Sequence, residues 1–395
     1  MQDGDQRFVD SIVGAVRAAL GPRDGFTPLH EPEFRGRESE YVLDCVETGW
    51  VSSVGSYVDR IEEMLAEKYG VERAVALASG TAALHVALLV AGVEPGDEVL
   101  CPTLTFVATA NSIRHAGATP HFVDAETRSL GVDPAALAEH LDRTCERRGD
   151  ALFNRATGAR VRALVTTHVF GHPGELDALR ALADERGLVF VEDAAESIGT
   201  TLDGAPLGRH GRVATLSFNG NKVVTTGGGG ALLTNDAALG ARAKHLSTTA
   251  RVPAENFGFA HDEVGFNYRM PNLNAALGCA QLEQLDDMLE RKRALAGRYR
   301  DAFSGLDGVR FLDEDERTCS NFWLNAIVLD RDRAHLTGAV LEALNAADLM
   351  ARPLWNPMHT LPMFTACPRA DVAQAEDMAR RVVNVPSSPA LADPA

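Results

Sequence analysis

Lysine is scarce in this chain of 395 residues. Lys68, Lys222, Lys244 and Lys292 are the four lysines among 38 basic residues, and the rest are arginine. The skew says nothing about function by itself, but it leaves four candidates for any chemistry that needs a primary amine. Positive charge is short as well. Against 55 acidic residues the 38 basic ones leave a formal net charge of −17. Such a chain repels nucleic acid and anionic membranes, so neither is an expected partner. Any phosphate site must then be made locally, from backbone N–H groups at helix starts. Long apolar runs are missing: none reaches the roughly 18 residues that span a bilayer. The opening stretch MQDGDQRFVDSIVGAV is acidic and amphipathic, unlike a signal peptide. The six cysteines stand at least 40 residues apart with no CxxC among them, which reads as a reduced, cytoplasmic protein. His168 and His172 are the one tempting metal pair. Gly171 and Pro173 break any helix that would aim both at one ion, so no metal is expected.

The chain has a hydrophobic content of 45%, enough for a full core. Its first part reads as helices over Phe8–Leu20, Gly36–Thr48 and Tyr57–Tyr69. From Arg73 the pattern alternates: short, continuous apolar strands (RAVALAS, Glu98–Cys101, Pro120–Asp124, Arg162–Thr166), each followed by a helical stretch, and then the strands LVFVE, Val213–Phe218 and Gly230–Thr234, the last two around a glycine loop. Strands buried on both faces by helices read this way, so a mostly parallel α/β sheet is expected. After about Asn272 the texture changes. Asn274–Phe303 reads as one long helix, weakly broken at Gly278, followed by strand-like pieces, a further helix and the Pro-rich RPLWNPMHTLP. The expected organisation is an N-terminal helical extension (1–27), a large α/β domain (28–272) and a smaller C-terminal α+β domain (273–395). The closing NVPSSPALADPA reads as a frayed end.

In an α/β sheet ligands bind beyond the carboxyl ends of the strands. After RAVALAS stand Ser79, Gly80 and Thr81, at the start of a helix. Small residues there let the backbone approach an anion, though a plain helix cap on Ser79 explains the same residues. After LVFVE stands Asp193, followed by Glu196. A carboxylate ending an apolar strand needs a cationic or hydrogen-bonding partner. That partner is either the next turn or a protonated ring nitrogen. The sharpest feature is SFNGNKVVTTGGGG (217–230). The glycine run lacks the GK[ST] ending of a P-loop and on its own reads as a flexible hairpin. Lys222 within it has no acidic residue for ten positions on either side, while Lys68, Lys244 and Lys292 sit in charged helical patterns where a solvated ammonium is expected. A desolvated lysine becomes a usable amine nucleophile, as a Schiff base requires. A phosphate-cradling helix start, an acid for a pyridinium nitrogen and a lysine in a small-residue loop together form the toolkit for pyridoxal 5'-phosphate.

At this point the sequence resembles the DegT/DnrJ/EryC1/StrS family of sugar aminotransferases, with the fold-type-I aminotransferase architecture. The likeness rests on ASGTAALHVAL (78–88), PTLTFVATANSI (102–113), THVFGHP (167–173), VEDAAESIG (191–199), SFNGNKVVTTGGGG (217–230), GFNYRMPNLNAALG (265–278) and ARPLWNPMH (351–359). The resemblance implies that Lys222 carries the cofactor and moves the proton. It implies that Asp193 pairs with the ring nitrogen, Phe106 stacks on the ring and Glu196 lies near the ring hydroxyl. Gly80, Thr81 and Ser217 would bind the phosphate, and Asn267 would reach it from the neighbouring subunit of a homodimer. His168, Trp355 and His359 would contact substrate. There are two departures: Gly228 stands where the family usually has glutamate, and the chain ends soon after Val385-Pro386-Ser387-Ser388.

The Asn221-Lys222 pair resembles the enzymes that aminate C4 of a 4-keto-6-deoxy sugar nucleotide. The amino donor implied is glutamate. The implied acceptor is UDP-linked 4-keto-6-deoxy-N-acetylglucosamine, with GDP-linked perosamine-type, 3-keto sugar and aminocyclitol acceptors as the competitors. A non-catalytic regulator on the same fold would carry an added DNA-binding domain, for which the N-terminal extension is too short and too acidic.

Overall fold

The computed structural model describes residues 3–253 and 258–393. Its centre is a nine-stranded sheet. The main strands run in the order Arg73–Leu77, Gly230–Thr234, Val213–Ser217, Val189–Asp193, Arg160–Thr167, Glu98–Pro102, Thr119–Val123. From Val213–Ser217 to Thr119–Val123 every neighbouring pair is parallel. Gly230–Thr234 runs against its neighbours on both sides. The expected mostly parallel α/β sheet is therefore present. The strand interiors are mostly buried Val, Leu, Ala and Phe, because helices cover both faces.

Sequence signals set the helix starts. Ser79 caps Gly80–Val90 by accepting the Ala82 N–H at 3.1 Å. Asp133, just before Pro134, caps Pro134–Thr144, and Asp236 caps Ala237–Ser247. A hairpin, Cys145–Arg148 with Ala151–Asn154, extends the large sheet at Arg160–Thr167. Its charged residues masked it in the sequence.

A second, four-stranded antiparallel sheet holds Val309–Phe311, Asn325–Leu329, Val382–Val385 and Arg352–Pro353. The helix Asp3–Leu20 packs Val9, Ile12 and Val16 into one apolar cluster with Leu295, Tyr299 and the strand residue Ile327.

Three expectations change here. The long helix is two, Asn272–Glu283 and Leu285–Phe303, and it breaks at Gln284, not at Gly278. The Gln284 side chain donates to Glu38 Oε1 at 2.5 Å and to the Ala280 carbonyl at 3.1 Å. Gly278 is there for packing: a Cβ on it would come within 2.5 Å of Ile61 Cδ1. The chain end is not frayed up to Asp393. Ser387 and Ser388 are buried, and Leu391 and Ala392 join the cluster around Asp3–Leu20. Lys292, read as solvated, is 1% exposed. Its amine donates to the carbonyls of Ser387 at 2.6 Å and Trp323 at 3.2 Å.

Candidate active site

A cavity of about 640 Å³ opens beyond the carboxyl ends of the central strands. Ser79, Gly80, Thr81, Phe106, Asp193, Glu196, Ser217, Lys222 and Trp355 all line it, although they come from five separate stretches of sequence. Asp193 and Ser217 are the last residues of neighbouring strands. The helix start at Gly80 lies against them. A Cβ on Gly80 would sit 2.8 Å from Ser217 Cβ, and one on Gly230 would sit 2.6 Å from Gly80 N. Glycine at both positions is what lets the helix start meet the strand end. The first-turn N–H groups of that helix have no partner within it.

Asp193 is 4% exposed. Its Oδ2 accepts from Thr109 Oγ1 at 2.7 Å and its Oδ1 from the Ala195 N–H at 3.2 Å. Thr109 belongs to a buried hydroxyl chain, with Thr105 Oγ1 2.8 Å from Thr109 Oγ1 and 3.0 Å from Thr167 Oγ1. Burial pushes the Asp193 carboxyl above its ordinary range, against the pull of those hydrogen bonds. A cation on its free side would reverse the push.

Lys222 Nζ lies 3.2 Å from Glu196 Oε1 and 3.4 Å from the centroid of the Trp323 ring. Burial lowers the Lys222 pKa and raises that of Glu196, so each is drawn towards its neutral form. Glu196 is held from its other oxygen by the Phe170 N–H at 2.9 Å. The Trp323 indole N–H donates to the Asn221 carbonyl at 2.7 Å, which fixes the ring over the amine. Gly228 has open space where a side chain would go. Its carbonyl accepts from Thr226 Oγ1 at 2.8 Å and Asn274 Nδ2 at 3.1 Å, so the loop is fastened without the glutamate and is not a free hairpin.

These donors fit pyridoxal phosphate. The cavity offers a desolvated amine, a buried carboxylate without a cationic partner on its free side, and a helix start shaped by glycine to receive an anion.

The structure places three of the candidate residues elsewhere. His168 is fully buried, with Nε2 3.0 Å from Glu192 Oε2. His359 is buried with Nδ1 2.8 Å from Thr103 Oγ1 and Nε2 3.1 Å from Glu376 Oε1. Neither lines the cavity, because each ring satisfies a neighbouring buried polar group instead. Asn267 does not line the cavity of its own chain either, and its Oδ1 accepts from Arg269 Nε at 3.0 Å. Thr109, Trp323, Arg352 and Asn384 were not legible as site residues. The only signals were the i, i+4 pair Thr105 and Thr109 and the Arg352 within ARPLWNPMH.

A family model described as the DegT/DnrJ/EryC1/StrS aminotransferase family matches residues 32–395. EpsN of Bacillus subtilis, provisionally named a pyridoxal phosphate-dependent aminotransferase, is 39% identical over 336 residues, covering 85% of this chain and 83% of that protein. The GDP-perosamine synthase of Vibrio cholerae is 35% identical over 367 residues, covering 93% and 95%. Among solved structures, the aminotransferase TlmJ from Streptoalloteichus hindustanus superposes with a TM-score of 0.81 at 28% identity, covering 91% of this chain and 93% of that one.

Proposed function

The chain belongs to the DegT/DnrJ/EryC1/StrS family of pyridoxal-phosphate-dependent sugar aminotransferases, and from that premise we propose that it moves an amino group from glutamate to C4 of a nucleotide-linked 4-keto-6-deoxy sugar. The observation that carries the reading is the meeting of Lys222, Asp193 and the Gly80 helix start in one cavity. Bound pyridoxal phosphate supplies an electron sink for a carbon that loses its proton. The chain's own residues do the rest. Lys222 is the amine to which the cofactor is joined and, when free, the base that carries a proton between substrate carbon and cofactor carbon. Burial lowers the pKa of that amine, and Glu196 at 3.2 Å holds it in place. Asp193, steadied by Thr109, holds a proton on the ring nitrogen. Gly80 and Thr81 N–H groups and the Ser217 hydroxyl receive the phosphate. Phe106, 54% exposed on the cavity rim, covers the ring face.

In this reading residues 28–272 form the cofactor-binding domain and 273–395 the smaller one, with 1–27 as an extension docked on the latter. The protein acts as a homodimer, with Asn267 completing the partner's phosphate site, and it works in the cytoplasm. Among the described residues no helix is long and apolar enough to cross a membrane.

The motif likeness favours UDP-linked 4-keto-6-deoxy-N-acetylglucosamine as acceptor. A GDP-linked acceptor is the second reading, favoured by the relatives named GDP-perosamine synthase. The central test is Lys222→Ala. It should lose the visible absorbance of the bound cofactor and all amine transfer from glutamate, and near-normal turnover would refute the proposal. UDP- and GDP-linked 4-keto sugars, assayed side by side with wild-type enzyme, separate the two acceptors.

A further inference from the structure

Both co-substrates of the proposed reaction are anions. Glutamate carries two carboxylates and a nucleotide sugar carries a diphosphate. The cavity that must receive them is poorly supplied with cations. Its ionisable lining residues are Asp193, Glu196, Lys222 and Arg352. Asp193 and Glu196 are acids, and Lys222 is engaged by Glu196 and by the chemistry. Arg352 is the remaining cation. Among the described residues it forms no ion pair, and its side chain makes one weak bond, from Nη1 to the carbonyl of Ala351 at 3.3 Å. A guanidinium has five N–H donors in a planar fork suited to an oxyanion, and here most of them are uncommitted.

A second, independent feature stands across from it. Arg352 and Asn384 are directly opposed on the antiparallel strands Arg352–Pro353 and Val382–Val385, so their side chains share one face. Asn384 also lines the cavity. It is 4% exposed, yet its Oδ1 has no hydrogen-bond partner, and its Nδ2 reaches only the Pro353 carbonyl at 3.5 Å. A buried amide left unsatisfied costs free energy in the empty protein, and a polar ligand group beside Arg352 would satisfy it.

We infer that Arg352 and Asn384 form the oxyanion-recognition site of this cavity, taking the carboxylate of the amino donor or the diphosphate of the nucleotide sugar. The inference rests on the reaction proposed above and names the residues by which the small sheet would select its substrates. It places the selectivity for an anionic substrate on the small antiparallel sheet.

The test is binding to the holoenzyme, measured by calorimetry or tryptophan fluorescence, with 2-oxoglutarate as the dicarboxylate probe and UDP and GDP as the diphosphate probes. Arg352→Gln should weaken one probe class about 10- to 100-fold, the effect of removing a charged hydrogen-bonding partner. The cofactor absorbance and the thermal midpoint should stay as in wild type. Arg352→Lys should fall between the two. Asn384→Asp, which sets a carboxylate across from Arg352, should weaken the same class. The wild-type affinity should fall with added salt more steeply than that of Arg352→Gln. A fall in the 2-oxoglutarate arm assigns the site to the donor carboxylate, and a fall in the nucleotide arm assigns it to the diphosphate. A fall in both assigns it to each in turn. Less than a twofold change in both arms overturns the inference. Failure of the function proposal reads differently: wild-type holoenzyme would then not convert glutamate to 2-oxoglutarate, whatever the binding arms show.

Discussion

Two of the four lysines are buried, and they serve different ends. Lys222 faces a cavity beside an acid and an aromatic ring, the setting of a reactive amine. Lys292 faces only carbonyls. A neutral amine has two N–H donors, and Lys292 has two carbonyl acceptors, on Trp323 and Ser387. Burial lowers its pKa from the ordinary 10.5 to about 7. The sign of the pH effect follows. Between those two values the unfolded chain binds a proton that the folded chain does not, so this group makes stability rise with pH from about 7 to 10.5 and contributes no slope below 7. Lys292→Met should lack that slope. The gap in thermal unfolding midpoint between wild type and variant should shift in favour of wild type by about 1–3 °C between pH 7 and pH 9.5, and parallel curves would show that Lys292 stays charged. Local charge pattern could not distinguish Lys292 from its solvated neighbours, because the acceptors lie 31 and 95 residues away in sequence. Lys222 was legible, since its own neighbours in sequence are the apolar and small residues that desolvate it.

At the scale of elements, the four-glycine run shows how a uniform sequence hides unequal positions. A Cβ on Gly230 would strike backbone atoms on two elements, Gly80 N and Ser79 C at 2.6 Å and Leu216 O at 2.7 Å. One on Gly228 would meet nothing within 4 Å. Gly230→Ala should therefore push the Gly80 helix away from the strand end, costing about 1–3 kcal/mol and loosening the cofactor at least tenfold. Gly228→Ala should stay within about 0.5 kcal/mol of wild type. Urea unfolding and cofactor dissociation measured on both variants check this, and equal effects would count against the close approach of helix and strand. Strand positions were readable because apolar runs of five residues flanked by turn signals leave few alternatives. The helix break at Gln284 was not, because it is made by a side-chain bond to Glu38, on another helix.

For the whole molecule, the proposed homodimer places Lys222 and Asn267 of one active site on different chains. Mixing Lys222→Ala with Asn267→Asp, each impaired alone, should then restore activity. Random re-pairing gives hybrids with one intact site, so roughly a quarter of the sites should work. No recovery after verified subunit exchange would place both residues in one chain's site. Phe259 and Val264, 76% and 83% exposed in the single chain, are apolar surface that such a partner would cover.

What the sequence alone determined is the chemistry and the scaffold that presents it: the α/β alternation, the carboxylate at a strand end, the helix start at Gly80 and the one lysine in an uncharged loop. These are local signals, because propensity, capping and desolvation by sequence neighbours act over a few residues. The tertiary structure decided which polar side chains face the cavity. His168 and His359 turn to buried partners, Trp323 lies over the amine, and Arg352 and Asn384 meet across a strand pair. Those outcomes depend on atoms brought together from distant parts of the chain, and whether a buried polar group is satisfied or left free for a ligand is settled only when those partners arrive.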